Sequence, residues 1–129
     1  MKGILHHIEF YVSDLEKSKN FWGWLLVELG YEKYQEWNNG ISFKLEDTYL
    51  VFVQTEDKYL DLKYHRKTTG LNHLAFHLNS HEMLNEFTQK LKERDISILY
   101  EEKHPFSRGK EHYAVFFEDP DRIKVELVG

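Results

Sequence analysis

Two stretches of this chain carry the same pattern. Residues 7–14 read His7-Ile8-Glu9-Phe10-Tyr11-Val12-Ser13-Asp14, and residues 73–80 read His73-Leu74-Ala75-Phe76-His77-Leu78-Asn79-Ser80. The two histidines stand 66 positions apart in a chain of 129 residues, so the repeat divides it into halves. Such self-similarity constrains the fold strongly, because each copy must form the same supersecondary unit. Both copies alternate with the period of two expected of a strand with one buried face. Ile8, Phe10 and Val12 form the apolar row of the first copy, and Leu74, Phe76 and Leu78 that of the second. His7 and His73 therefore share one register on the opposite, more polar face.

A helix follows each strand. In the first half, Ser13-Asp14-Leu15-Glu16 reads as a capping box with Ser13 as the acceptor. Leu15, Phe21, Trp22, Leu25, Leu26 and Leu29 then recur at helical spacing up to Gly30, a common stopping residue. In the second half, Asn79-Ser80 caps a helix with the stripe Met83, Leu84, Phe87 and Leu91, ending near Arg94-Asp95. Three short strands are expected after each helix. In the first half these are 31–37, 41–45 and 48–54, with Asn38-Asn39-Gly40 as a hairpin turn. In the second they are 96–100, 112–118 and 123–128, the last following Asp119-Pro120-Asp121-Arg122. Trp22 and Trp24 point about 200° apart on the first helix, so one of them faces away from the core. The predicted class is α+β: one domain of two tandem βαβββ modules, residues 1–57 and 70–129, joined by a polar connector over 58–69.

Composition narrows the function. With no cysteine, the chain can form neither disulfides nor thiolate sites, which fits a reducing interior. A net charge of −5 is the wrong sign for a nucleic-acid binder. No apolar run approaches a membrane span, and Met1-Lys2-Gly3-Ile4-Leu5 runs directly into His6-His7 rather than into a signal-peptide core. A cytoplasmic protein with neither membrane nor nucleic-acid partner is expected. Eight histidines in so short a chain make metal chemistry worth testing.

The duplicated βαβββ order with a histidine on each first strand resembles the vicinal oxygen chelate superfamily. This group includes glyoxalase I, extradiol dioxygenases, fosfomycin thiol transferases and bleomycin-resistance proteins. The segments that carry the resemblance are 7–18, Leu71-Asn72-His73-Leu74-Ala75-Phe76, and 116–127, where an Asp-Pro-Asp turn leads into Ile123-Lys124-Val125-Glu126-Leu127. The resemblance implies curved mixed sheets around a cup, a homodimer, and a metal ligand on the first and last strand of each module. Mapped onto this chain, the ligands are His7, His73 and Glu126, with Phe52 opposite Glu126 when Asp47–Gln54 is aligned with Asp121–Val128. Phenylalanine cannot ligate, and Gln54 could replace it only with a shift of position. The pattern of two histidines and one glutamate suits the dioxygenase and fosfomycin-transferase branches better than glyoxalase I. The dioxygenase branch, however, has a glycine where Arg122 stands.

The residues themselves support Glu126. It lies between Val125 and Leu127, and a carboxylate held in an apolar strand requires compensation. Two imidazoles and one carboxylate suit a single divalent ion of Zn, Ni, Mn or Fe, with positions left open for substrate oxygens. Glu126 is thus both ligand and candidate proton carrier. Glu9, Tyr11, Phe52, Gln54, His77, Arg108, His112 and Tyr113 are candidate pocket residues, with 107–110 a loop able to cover a site. The expected function is a metal-dependent lyase, isomerase or dioxygenase acting on a small substrate with vicinal oxygens. The alternatives are a fosfomycin-type thiol transferase and a metal-free binding protein of the bleomycin-resistance type.

Overall fold

In the computed structural model, which describes all 129 residues, strand β1 (His7–Val12) alternates as its sequence requires. Phe10 and Val12 are buried, while His7, Glu9 and Tyr11 are exposed. Helix α1 (Leu15–Glu28) follows, then β2 (Glu32–Trp37), β3 (Gly40–Leu45) and β4 (Thr48–Gln54). The second set is β5 (His73–His77), α2 (His81–Glu93), β6 (Ile98–Leu99), β7 (Ala114–Glu118) and β8 (Lys124–Val128). The chain divides into two compact units, Met1–Lys63 and Tyr64–Gly129, so the boundary falls inside the expected connector. No helix is long and apolar enough to cross a membrane.

Each unit holds one four-stranded mixed sheet. The orders are β1-β4-β3-β2 and β5-β8-β7-β6, with the first and last strand of each unit paired in parallel. Helix α1 packs on β2, β3 and β4, and α2 packs on β6 and β7. In the first unit Trp22 and Phe52 are both fully buried, their rings stacked at 5.0 Å, with Phe10 against Phe52 at 5.3 Å. Trp24, on the other side of α1, is only half-buried.

Several boundaries differ from expectation, each for a local reason. Asp14, not Ser13, caps α1: its side chain accepts from the Lys17 amide. Ser80 caps α2 as expected, accepting from the Met83 amide. The turn between β2 and β3 is Asn38-Asn39, and Gly40 begins β3. A Cβ on Gly40 would fall 2.3 Å from the Trp37 ring, so glycine stands there to admit the indole. Strand β6 shrinks to two residues because the Ile96 amide closes α2 on Leu91 and Tyr100 turns into the left-handed region at φ 55°. Strand β7 starts at Ala114, since the His112 amide is taken by Gly109.

The Asp-Pro-Asp turn sets β8 in place. The buried Asp119 carboxylate accepts from the amides of Asp121 and Ile123, both at 2.8 Å. Arg122 adopts φ 67°, which explains why glycine suits that position, and its Nε reaches Glu118 at 3.3 Å. Glu118 also binds the Arg66 guanidinium.

One consequence for stability follows from His104. Its Nδ1 is buried without a hydrogen-bond partner, and burial, aided by Lys92, lowers its pKa below the usual 6.5. Glu101 and the Ala114 backbone act weakly in the other direction. Below about pH 6.5 the unfolded chain then binds more protons at this site than the folded one, so acidification removes stability. The urea midpoint is expected to fall more between pH 7.5 and 5 in the wild type than in His104→Gln; equal slopes would remove His104 as the cause.

Candidate functional site

Glu126 lies near the middle of β8, between Val125 and Leu127, and is only 3% exposed. Pairing sets its neighbours on the face: Ala75 on β5 and Phe116 on β7 stand directly opposite. Lys124 and Val128 lie two residues to either side on the same face. A carboxylate in this position needs partners, and it has two. Its Oε1 lies 3.0 Å from His73 Nε2, and its Oε2 is bonded to His112 Nε2. The His73 side chain is 23% exposed and that of His112 37%, so the trio opens outward from a buried acid.

His73 opens β5, and its other ring nitrogen, Nδ1, bonds Asn72 Oδ1 at 2.6 Å. Both nitrogens of this ring therefore face oxygens. With Asn72 taking the Nδ1 proton, Nε2 points its lone pair at a carboxylate unless a proton or a metal ion lies between them. His112 Nε2 meets Glu126 under the same condition. The donor kinds fit a divalent ion of the Zn, Mn, Fe or Ni type. The spacing of the first pair also fits: two ligands at right angles with bonds of about 2.1 Å lie about 3 Å apart. No group of three or more His, Asp or Glu side chains is, however, arranged to hold a metal ion.

The other candidates have surroundings of their own within their units. His7, in the first unit, stacks on Tyr49 at 4.8 Å, and its Nδ1 lies 2.8 Å from His6 Nδ1. Glu9 and Tyr11 share its exposed face, and His77 is exposed on β5 beyond Ala75. Phe52 is core, not pocket wall. The expected alignment also needs correcting by one step. His7 pairs beside Tyr49 and Glu9 beside Val51, as His73 does beside Lys124 and Ala75 beside Glu126, so Val51 is the counterpart of Glu126.

Gln54 is used structurally: its Oε1 accepts from the Leu15 amide and its Nε2 donates to Ser13 and Thr55 carbonyls, tying β4 to the start of α1. Tyr113 is likewise tied to α2, donating to Asn85 at 2.6 Å and stacking on His81 at 3.9 Å. Arg108 lies in an exposed turn. Three residues near the trio were not singled out from sequence: Asn72, Phe116 and Lys124. For Asn72 and Lys124 the signal was adjacency, one residue before His73 and two before Glu126 on its face. Phe116 announces itself only through cross-strand register.

Known proteins resemble the chain along nearly its whole length. Residues 4–127 match the model of the Glyoxalase/Bleomycin resistance protein/Dioxygenase superfamily. The Bacillus subtilis (strain 168) protein YqjT, itself uncharacterized, is 56% identical over 96% of this chain and 97% of its own. The glutathione transferase FosA of Serratia marcescens is 30% identical over 95% of this chain and 78% of its own. A crystal structure of a provisionally named glyoxalase from Bacillus halodurans superposes with a TM-score of 0.97 at 62% identity, covering 98% of this chain and 96% of that one. The fosfomycin resistance protein FosX of Listeria monocytogenes shares the fold, with a TM-score of 0.73 at 23% identity over 99% of this chain and 93% of its own.

Proposed function

The chain belongs to the Glyoxalase/Bleomycin resistance protein/Dioxygenase superfamily, and on that premise we propose that it is a divalent-metal-dependent enzyme acting on a small substrate with two neighbouring oxygens. The observation that carries this reading is Glu126, a carboxylate 3% exposed with each oxygen turned to an imidazole Nε2. His73 and Glu126 would hold the ion. A bound divalent ion supplies Lewis acidity toward the substrate oxygens.

The chain's own groups do the rest. Asn72 fixes the His73 ring so that Nε2 faces the acid. His112, the more open imidazole, orients the second oxygen of Glu126 through its Nε2. Phe116, 1% exposed, walls the carboxylate on the β7 side, and keeping water from that side strengthens the electrostatic contacts there.

Metal content tests the reading. After reconstitution with Mn, Fe, Ni or Zn and desalting, elemental analysis is expected to find about one ion per chain. His73→Ala is expected to lose most of it. A wild type that holds no ion, or a His73→Ala variant that keeps a full complement, would overturn the reading. Turnover is then sought with fosfomycin plus glutathione and with the hemithioacetal of methylglyoxal and glutathione, since named relatives point to both chemistries.

A second reading, a metal-free small-molecule binding protein, has one observation in its favour. Glu126 is already fully partnered by His73 and His112, without a third group around a common point. It predicts ligand binding undiminished by chelator.

A further inference from the structure

Lys124 shares the face of Glu126 and is the charged group there that the trio does not use. It stands on β8 directly beside His73 of β5, with Glu118 of β7 on its other side. Glu118 is the natural partner for an ammonium there, but its carboxylate is committed to Arg66 and Arg122. The Lys124 Nζ instead sits over two aromatic rings, 5.6 Å from the centre of Phe116 and 5.7 Å from that of Tyr100, and 3.5 Å from the Tyr100 hydroxyl. A contact of that length is a loose one, so both groups can turn to a third partner at little cost.

Tyr100 adds a second observation. It holds φ 55° and ψ 37°, a left-handed conformation that costs a bulky side chain about 1 kcal/mol or more. The backbone thus turns out of β6 at this residue, and its ring packs edge-on against Phe116 at 5.6 Å. A half-buried cation with no carboxylate on it, beside a phenol donor, on an aromatic bed, is set up to receive an anion.

We infer that Lys124 and Tyr100 form a subsite for the anionic group of the substrate, an oxyanion of the carboxylate, phosphonate or phosphate class. The inference rests on the proposed function in that the same substrate reaches the trio. Lys124 and Glu126 are two residues apart on one face, about 7 Å along the strand. The substrate is thus small and bifunctional, with chelating oxygens at one end and the anion at the other. Lys124 attracts and orients it. Tyr100 donates one further hydrogen bond.

The test measures binding of methylphosphonate, inorganic phosphate and acetate by calorimetry, on metal-loaded protein and again after chelator treatment. Lys124→Gln is expected to weaken the preferred anion by about tenfold or more, Tyr100→Phe by about threefold, and Lys124→Arg to restore most of the loss. Metal content and thermal midpoint of Lys124→Gln should match the wild type. The preferred probe identifies the anion class. Loss of binding in Lys124→Gln that persists without metal upholds the subsite even if the metal reading fails. Equal affinity in wild type and Lys124→Gln, or binding to the metal-loaded form alone and indifferent to Lys124, overturns it while leaving the metal reading intact.

Discussion

Glu126→Gln is expected to abolish metal-dependent stabilisation while leaving the fold in place. The two effects separate because of the partners this acid has. Removing a carboxylate from a buried lysine or arginine would strand a charge, at a cost of about 3–5 kcal/mol. The partners of Glu126 are imidazoles with side chains 23% and 37% exposed, so water reaches them when the carboxylate is gone and no fixed charge is stranded. Glutamine also keeps the shape of the side chain between Ala75 and Phe116. The metal-free variant should therefore melt within a few degrees of the metal-free wild type.

Metal changes the comparison. An ion that binds only the folded state at about a thousand times its dissociation constant adds about 4 kcal/mol. For a chain of this length that raises the midpoint by roughly 10 °C or more. Glu126→Gln should show almost none of that rise, and turnover in any active assay should drop by about a hundredfold or more. An undiminished metal-induced rise in Glu126→Gln would remove this carboxylate from the site, whatever the protein catalyses.

Much of the fold was legible because duplication presents each rule twice. The strand period, the helix stripes and the Asp-Pro-Asp turn each gave an element within a few residues of its place. The errors came where tertiary contacts decide. The shrinkage of β6 depends on how α2 closes at Ile96 and on the left-handed Tyr100, neither of which has a local sequence signal. The choice of Asp14 over Ser13 as cap turns on one residue of phase.

That Glu126 and His73 come together was readable from position and facing. The nearness of His112 to Glu126 was not, because His112 precedes β7 in a turn and strand periodicity does not extend to it. The misplacement of Phe52 has a plain cause. Aligning the two halves by their turns rather than by their sheet register shifts β4 one step against β8, and one step exchanges the buried face for the other. Val51, not Phe52, stands where Glu126 does, and Phe52 and Gln54 are released to core and capping roles.

Trp22→Ala is expected to be the most destabilising substitution in the first unit. Trp22 is fully buried on α1, stacks on Phe52 at 5.0 Å and meets Phe21 edge-on at 5.3 Å. Truncation removes the ring's transfer free energy, and rings set in place by backbone pairing on β1 and β4 cannot collapse into the void. A loss of about 3–5 kcal/mol follows, a large share of the roughly 5–15 kcal/mol that holds a domain together. Trp22→Phe keeps most of the stack and should cost about half as much or less. All three tryptophans, Trp22, Trp24 and Trp37, lie within residues 1–63, so indole fluorescence reports on this unit alone. In Trp22→Ala the signal from Trp24 and Trp37 should unfold at a lower urea concentration. Far-ultraviolet circular dichroism, which sees both units, then shows whether the second unit follows at the same midpoint. A shift equivalent to less than about 1 kcal/mol would mean that the aromatic stack is not what holds α1 to its sheet.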